Sequence, residues 1–457
     1  MTTVSKRLLG NLGANSLGKG LNILSQILLV PLFLKFWGVE LYGEWLILST
    51  IPAYLVISDF GLGHASANEM AIKVSQGLQN KALEIFQATA MLIAVMFLVV
   101  GICFAIILMI VPLNEWLNFI HIERHEMLLV ILFLSLKVLV SQQFGLYHSA
   151  FRCIRRNAFG TMLKNALLIC QLIGISAALI IGVNPWQLAL IDLSITSIAL
   201  LLVRLLMWVQ IPWVRYGFPK NIRKVIKPIF YPALAFLIFP FTQLILIQGT
   251  TIVTGILLGP TAVVLYTTVR MLGNVSLRLL EIVTISVWPE ISVAFGKRDL
   301  VQMRKLHRYG AQIVLWLSII GFTLLLFIGE YVYLMWTGNN VEWEQAFFML
   351  MILAIFLESL QIFSKVIPTA TNQHVRMIVW LLINALISLP FLWGFIVMYG
   401  IIGISFMLIL HNTVLSIVVL AYALRQLEEK PFDYFVYLIS PYFLYNNVKK
   451  SLSKVLY

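Results

Sequence analysis

Residues 91–111 read MLIAVMFLVVGICFAIILMIV, an apolar run without a charged side chain. An α-helix needs roughly 20 such residues to cross the hydrocarbon core of a bilayer, so this run predicts a membrane-spanning helix. Similar runs recur at Ala166–Val183, Ala311–Ile328 and Ile396–Leu420. The last run is too long for one crossing and is expected to turn near Tyr399-Gly400. The sequence therefore predicts an all-α integral membrane protein.

The composition of the 457-residue chain agrees with that class, because 61% of its residues are hydrophobic and only 11% are charged. A soluble protein carries about 25% charged residues. Cys103, Cys153 and Cys170 have no metal-site spacing and are expected to be packing residues. No cleavable signal peptide is evident, so the first helix is expected to be its own insertion signal. The net charge of +13 does not predict nucleic-acid binding, because the basic residues are distributed over many loops.

Apolar stretches, with the glycines and prolines that interrupt them, predict twelve transmembrane helices. They are 12–36, 41–62, 85–111, 126–151, 161–182, 186–211, 229–256, 262–291, 309–330, 344–367, 377–398 and 402–424. With both termini in the cytoplasm, nearly all of the 32 lysines and arginines lie in cytoplasmic loops. The exceptions are Lys35 and Arg124 outside and Lys137, Arg270 and Arg278 within spans. This asymmetry agrees with the positive-inside rule.

A weak internal repeat relates the two halves of the chain. The segments WGVELYGEWLIL at 37–48 and LGPTAVVLYTTV at 258–269 each follow an apolar span and lead through a helix to a basic loop. Six-helix units are even, so the second copy begins on the same side of the membrane and the repeats are parallel. We therefore expect an N-terminal lobe at 1–220 and a C-terminal lobe at 221–430, with a central cavity. The aromatic and basic tail at 431–457 is expected to be a cytoplasmic interfacial helix or, alternatively, a frayed terminus.

Polar residues recur at intervals of three or four inside several predicted spans, which places each set on one helix face. The sets in the first, fourth, eighth and tenth spans are Asn11, Asn15, Lys19, Asn22 and Gln26; Lys137, Ser141, His148 and Arg152; Arg270, Asn274, Arg278 and Glu281; and Glu358, Gln361 and Lys365. A charged side chain in a span costs roughly 2.5–3.5 kcal/mol on insertion scales, so it normally faces a hydrophilic cavity.

Basic residues outnumber acidic residues in these stripes, and this excess of positive charge indicates an anionic substrate. Arginine suits phosphate in particular, because its planar guanidinium donates two parallel hydrogen bonds. The candidate substrate-binding residues are Arg270, Arg278, Lys137, Lys19, Asn15, Asn22, Gln26, Asn274 and Lys365. An alternative explanation is internal neutralisation, because Glu281 lies one turn from Arg278 and Glu358 two turns from Lys365.

Four titratable residues are candidates for a coupling or cavity acid or base: Glu281, Glu358, Asp192 and His411. A lone buried histidine is more often a satisfied packing group, which is the alternative for His411. Asp59, with Gly61 and Gly63 at a helix end, is expected to order a loop. Neither a metal cluster nor a cofactor motif is present, so no metal or cofactor is expected.

The segment GVELYGEWLILSTIPAYLVISDFGLGHASANEMA at 38–71 resembles the first-half signature of bacterial polysaccharide-export flippases. These are O-antigen and capsule-unit transporters of the multidrug/oligosaccharidyl-lipid/polysaccharide (MOP) exporter superfamily. The shared features are Gly38, Tyr42-Gly43, Tyr54, Asp59, Gly61, Gly63 and Asn68. In the second half, Leu258-Gly259, Tyr266, Trp288-Pro289 and Lys297-Arg298-Asp299 look like the matching signature.

The resemblance implies an all-α protein of about twelve helices in two six-helix lobes, similar to MATE transporters, in the bacterial inner membrane. It implies a non-enzymatic flippase that moves polyprenyl pyrophosphate-linked oligosaccharides to the outer leaflet for O-antigen, lipopolysaccharide or other surface polysaccharides. Membrane lipids, a polysaccharide polymerase and its chain-length machinery are the expected partners. Related drug exporters often carry an acid deep in an early helix, whereas this first span carries Asn and Gln.

Two other functions are left open by the sequence. A small-molecule exporter with the same fold should favour cationic drugs and have an acidic cavity, whereas the polar stripes here are basic. A membrane-embedded polymerase or glycosyltransferase needs catalytic groups that water reaches, often on a sizeable loop. The predicted loops are short and carry no paired carboxylates.

Overall fold

Helix α1, Thr3–Ala53, contains most of the first two predicted spans and breaks at Gly38, where φ is 76° and ψ is 177°. The computed structural model describes residues 3–59, 62–110, 119–219, 222–371 and 373–440. The apolar part of this region, Gly13–Ile57, has 45 residues. A straight helix of that length would measure about 68 Å, roughly twice the 30 Å hydrocarbon core. Because glycine adopts positive φ at little cost, Gly38 lets the chain change direction between two crossings.

The remaining helices follow in chain order. They are α2 Leu62–Ser75, α3 Gln79–Ile110, α4 Arg124–Cys153, α5 Asn157–Ile181, α6 Pro185–Gln210, α7 Ile222–Leu258, α8 Pro260–Gly296, α9 Leu300–Thr337, α10 Gln345–Ile362, α11 Val366–Ala370, α12 Val375–Tyr399, α13 Ile402–Gln426 and α14 Pro431–Ile439. No strand occurs in the part of the chain that the structure describes, and the predicted all-α class is confirmed. Within those residues, ten segments are long and apolar enough to cross a membrane.

Helix α8 contains the predicted span 262–291 but is not among those ten segments. Its 37 residues are long enough to cross a bilayer. Its polar stripe includes Arg270, Arg278 and Glu281. A helix that carries several charges is stable in a membrane only where protein or water surrounds them.

The chain divides into two compact units, Met1–Val264 and Leu265–Tyr457. In the first unit α4 packs against α6, α1 packs against α5, and α7 contacts α1, α2 and α3. The core of this unit includes the fully buried rings of Phe86, Tyr147 and Phe151. The predicted division into six-helix lobes at residue 220 stays a prediction.

Glycines of the two repeated segments have clear structural roles in the first unit. Gly259 ends α7 with φ 84° and therefore breaks the helix in the way that Gly38 breaks α1. Gly43 lies directly against the backbone of Pro260, and a Cβ at this position would collide with it. The motif that carries the family resemblance thus combines a helix break with a close approach between α1 and the start of α8.

In the second unit α10 and α12 both pack against α13, and α9 packs against α10. Helix α14, the described part of the predicted tail, packs against α9. Its Tyr434 is buried and stacks on His307 of α9 with ring centroids 5.2 Å apart. Burial also raises the pKa of the Tyr434 phenol, so the ring is neutral in this contact. On the other side of α14, Phe432 is 78% exposed.

Polar contacts fix α14 to α9. Arg308 Nε donates to Glu429 Oε1 at 2.5 Å. Gln312 Nε2 donates to the carbonyl oxygens of Tyr437 at 3.1 Å and Ser440 at 2.8 Å. Residues 431–439 therefore form a helix that is docked on α9 and has an exposed apolar side, and the interfacial position of the tail stays a prediction. Residues 441–457 of the predicted tail lie outside the described residues.

Candidate functional site

A buried ion pair joins two helices of the first unit. Lys137 of α4 places its Nζ 2.8 Å from Oδ2 of Asp192 of α6. The Asp192 side chain is only 8% exposed, whereas that of Lys137 is 28% exposed. Helix α6 begins at Pro185 after a capping box, which fixes the helix two turns before Asp192. The lysine therefore neutralises the acid from the more accessible side of the pair.

A third helix completes this network. Gln171 of α5 donates from Nε2 to the other carboxylate oxygen, Asp192 Oδ1, at 2.8 Å. The same nitrogen lies 3.3 Å from the hydroxyl oxygen of Thr196, which itself donates to the Asp192 carbonyl at 2.8 Å. Both carboxylate oxygens thus accept a hydrogen bond. From sequence, Lys137 and Asp192 are candidates for separate roles, and no pattern indicates Gln171 or Thr196.

The predicted polar stripe of the first span lies on the surface of α1. Asn15 and Asn22 are exposed, and Lys19 and Gln26 are half-buried. Asn22 Nδ2 donates to the carbonyl of Gly18 at 2.8 Å, a bond within its own helix. Amide side chains on this surface can accept and donate hydrogen bonds, so they suit a hydroxyl-rich ligand.

In the second unit Arg270 and Lys365 interact with the same acid. The Glu358 carboxylate of α10 interacts electrostatically with Lys365, with Arg270 of α8 and with Glu281 of α8. Lys365 lies at the turn between α10 and α11. Glu358 therefore interacts with both Lys365 and Arg270, and the neutralisation of Lys365 by this acid stays a prediction.

Arg270 also has an unusual local environment. Its guanidinium carbon lies 5.5 Å from the centroid of the Tyr266 ring. Its Nε is buried and has no hydrogen-bond partner among the residues that the structure describes. A buried donor without a partner is costly, so this nitrogen is available for an acceptor supplied by a ligand. Asn274 and Arg278, one and two turns further along α8, are half-buried.

His411 of α13 is buried and forms hydrogen bonds to α12 in this structure. Its Nδ1 accepts a hydrogen bond from Asn384 Nδ2 at 2.9 Å and lies 2.7 Å from Ser388 Oγ. The Asn384 amide also donates to the His411 carbonyl at 3.2 Å. Asn384 and Ser388 of α12 both contact the same ring nitrogen. These contacts agree with the alternative that His411 is a satisfied packing group. Its role in coupling stays a prediction.

The predicted loop-ordering residues are only partly described. Asp59 ends a 3₁₀ helix at Tyr54–Asp59, and Gly61 lies outside the described residues. Gly63 lies in the first turn of α2, and its carbonyl accepts a hydrogen bond from Ser149 of α4 at 3.4 Å. The described part of the loop therefore contacts α4, and the role of Asp59 stays a prediction.

Glu44 is a buried acid that the sequence analysis did not select. It is 1% exposed and lies in the segment that carries the family resemblance. Its carboxylate accepts three consecutive backbone N–H groups, from Ile120 at 2.7 Å, His121 at 3.0 Å and Ile122 at 2.9 Å. The acid thereby fixes the chain just before α4. Its partners are more than 70 positions away, so no local pattern could indicate this role.

No cluster of three or more potential metal ligands occurs within the described ranges.

Several solved structures have the same fold. An inward-facing conformation of a multidrug resistance MATE family transporter of the MOP superfamily gives a TM-score of 0.68 at 11% identity, over 88% of this chain and 94% of that one. An outward-facing conformation of such a transporter gives 0.63 at 12% identity, over 93% and 96%.

A third solved structure is described by the words "reverse polarity of binding pocket suggests different function" and is a MOP superfamily transporter from Pyrococcus furiosus. It gives a TM-score of 0.61 at 12% identity, over 93% of this chain and 96% of that one. No protein-family model and no curated protein matches the sequence. At these identities the likeness shows the fold, so the predicted MATE-like architecture is confirmed.

Proposed function

From the MATE transporter fold, we propose that this protein is a flippase for polyprenyl diphosphate-linked oligosaccharides, the units of O-antigen or another surface polysaccharide. The observation that carries the proposal is the buried, unpartnered Nε of Arg270 on α8. A diphosphate oxygen is a suitable acceptor for that nitrogen, because the guanidinium donates in a planar fork. Arg278 lies two turns away on the same helix and adds a second guanidinium.

The acids near these cations are compatible with an anionic ligand. Glu358 interacts with both Lys365 and Arg270 and so offsets part of their charge when no ligand is bound. A diphosphate carries more charge than one carboxylate and can therefore compete for the cations. In the first unit, Asp192 holds Lys137 in the same way. Transport by alternating access would then exchange internal ion pairs for contacts to the ligand.

A small-molecule exporter is the second candidate. Two of the similar structures are described as multidrug resistance transporters, and the carboxylates Asp192, Glu281 and Glu358 could bind a cationic drug. One similar structure is described as having a binding pocket of reversed polarity, which supports the idea that this fold hosts more than one substrate charge. The Arg270 environment favours the anion. The transporter fold gives no support to a polymerase or glycosyltransferase.

The rest of the proposal concerns the setting of the protein. Ten segments of the described chain are apolar enough to cross a membrane, so the chain is multi-pass. We place it in the bacterial inner membrane with both termini in the cytoplasm, because that topology agrees with the positive-inside rule. Action beside a polysaccharide polymerase and its chain-length machinery completes the proposal.

The test uses proteoliposomes that contain a polyprenyl diphosphate carrying a fluorescent oligosaccharide. Flipping is measured as the fraction of label that becomes protected from an external hydrolase. The variant Arg270→Gln/Arg278→Gln should flip at least about tenfold more slowly, because hydrogen bonds to charged groups contribute about 1.5–3 kcal/mol. The matched control is Lys297→Gln/Lys305→Gln, which removes two exposed charges elsewhere and should flip at the wild-type rate.

Two outcomes would contradict the proposal. If wild-type vesicles do not flip the labelled lipid but accumulate a cationic dye against a gradient, the exporter is the better assignment. If flipping occurs but is unchanged in the double arginine variant, the α8 arginines are structural. Arg270→Lys adds a further distinction, since full activity in that variant would mean that a point charge is sufficient.

A further inference from the structure

A basic cavity lies between the ends of α12 and α13, and its lining residues are not those of the α8 polar stripe. It has a volume of about 380 Å³ and is lined by Gln373, Val375, Arg376, Tyr422, Arg425 and Gln426. Arg376 lies in the first turn of α12 and Arg425 in the last turn of α13. The cavity is therefore at one end of two neighbouring membrane-spanning helices. None of its lining residues is acidic.

The two arginines of this cavity keep their charge uncompensated. Both are exposed, and neither forms an ion pair with another residue of the described ranges. The acids that follow α13 have other partners: Glu429 pairs with Arg308 at 2.5 Å, and Glu428 lies 4.0 Å from Arg304. Two guanidiniums in one cavity repel each other, and an anion between them removes that repulsion.

The backbone at the start of α12 also favours an anion in this cavity. His374 precedes α12 and makes no side-chain capping hydrogen bond, so the first N–H groups of α12 have no partner from that cap. The positive end of the helix dipole favours an anion there. Gln426 joins the two helix ends, because its Nε2 donates to the Gln373 carbonyl at 3.4 Å and its Oε1 accepts from Thr371 at 3.3 Å. Polar contacts of Gln426 thus link the end of α13 to the turn that precedes α12.

The surface below the cavity indicates what kind of anion reaches it. On α12 the side chains one and two turns after Arg376 are apolar and exposed, namely Trp380 at 50% and Ile383 at 38%. On α13 Val414, three turns before Arg425, is 39% exposed. Such a surface on a membrane-spanning helix is covered by lipid chains, and tryptophan is enriched at the level of the head groups. A cationic cavity directly above a lipid-covered surface suits a ligand that has both parts.

We infer that this cavity binds the phosphate head group of an anionic glycerophospholipid whose acyl chains lie along α12 and α13. The two guanidiniums and the free N–H groups of α12 bind the phosphate oxygens. Soluble phosphates share the head-group chemistry but not the chains. The inference does not depend on the proposed substrate, because the site is formed by side chains that the transport proposal does not use.

Native mass spectrometry of the purified full-length protein in detergent tests the inference. Phosphatidylglycerol and phosphatidylethanolamine are titrated, and the bound lipids are counted for each variant. Arg376→Gln/Arg425→Gln should lose one bound phosphatidylglycerol and weaken that step at least tenfold. The control Lys297→Gln/Lys305→Gln removes the same charge outside the cavity and should bind as the wild type does.

A second measurement identifies the position of the bound lipid. Phosphatidylglycerol with brominated chains should quench tryptophan fluorescence in the wild type, and Trp380→Phe should lose most of that quenching. Equal binding by the double arginine variant and the wild type would overturn the inference. So would an equal loss in the lysine control, which indicates a general charge effect, or displacement of the lipid by inorganic phosphate at equal concentration, which indicates a soluble ligand.

Discussion

The geometry of the Lys137–Asp192 pair predicts how much stability the protein loses when one partner is removed. Asp192 accepts from Lys137 at 2.8 Å and from Gln171 at 2.8 Å, and its side chain is 8% exposed. Lys137→Met removes the counter-ion and leaves a carboxylate with an uncompensated buried charge. Breaking a buried pair in this way costs about 3–5 kcal/mol, and the 28% exposure of Lys137 places the expected loss near the lower end.

Removing the acid in place of the lysine should destabilise the protein less. Asp192→Asn keeps an oxygen for Gln171, and the Lys137 ammonium can turn towards the accessible side of the pair, so we expect a loss of about 1 kcal/mol. In Lys137→Met/Asp192→Asn no charge remains to be compensated. The double variant should therefore be more stable than the sum of the single losses implies, by about 1–3 kcal/mol.

The assay is unfolding by sodium dodecyl sulfate in mixed micelles, monitored by circular dichroism. Four proteins complete the cycle: the wild type, Lys137→Met, Asp192→Asn and the double variant. A control cycle uses Lys164→Met, a substitution of an exposed lysine of α5, in place of Lys137→Met. The stability losses of Lys164→Met and Asp192→Asn should be additive. If the Lys137 cycle is also additive within about 0.5 kcal/mol, the two residues do not stabilise each other and the reasoning fails.

Two further predictions concern the buried acids Glu44 and Glu429. Glu44→Gln should destabilise the protein by about 1–3 kcal/mol in the same assay, because an amide replaces one of the two oxygens that accept the N–H groups of residues 120–122. Glu40→Gln, whose side chain is 61% exposed, is its control and should have little effect. Arg308→Gln should loosen α14, because Glu429 is left buried without its ion-pair partner. In a Tyr434→Cys background, a thiol reagent should label the cysteine faster when Arg308→Gln is also present. An unchanged labelling rate would contradict this prediction.

Much of the fold could be predicted because its signals are local. The predicted spans 126–151, 186–211 and 402–424 correspond to α4, α6 and α13 to within about two residues, since each apolar run ends where charged or polar residues begin. The break at Gly38 also has a local cause. Helix α8 shows the limit of this approach, because its charges need surroundings that hydropathy alone does not describe.

The candidate site could be predicted only as a set of residue types. Helical spacing identified Lys137, and depth in a span identified Asp192, but neither criterion says which helices become neighbours. Gln171 lies 21 positions before Asp192 on another helix, and no periodicity links them. The same reason explains why Glu44 was missed. Predicting such pairs requires knowledge of helix packing, which depends on small residues such as Gly43 at close approaches.

Internal compensation of the cations is compatible with anion transport and has a physical reason. A chain that enters a membrane without its ligand must compensate its buried charges, and Asp192 has that role for Lys137, while Glu358 interacts electrostatically with Lys365 and Arg270. A ligand then gains only the difference between its own contacts and the ion pairs that it replaces. That difference is larger for a diphosphate than for a single carboxylate, because it carries more charge and more acceptor oxygens. Under the proposed function, the ligand would then bind selectively without binding tightly, and a ligand that has to be released on the other side of the membrane requires this balance.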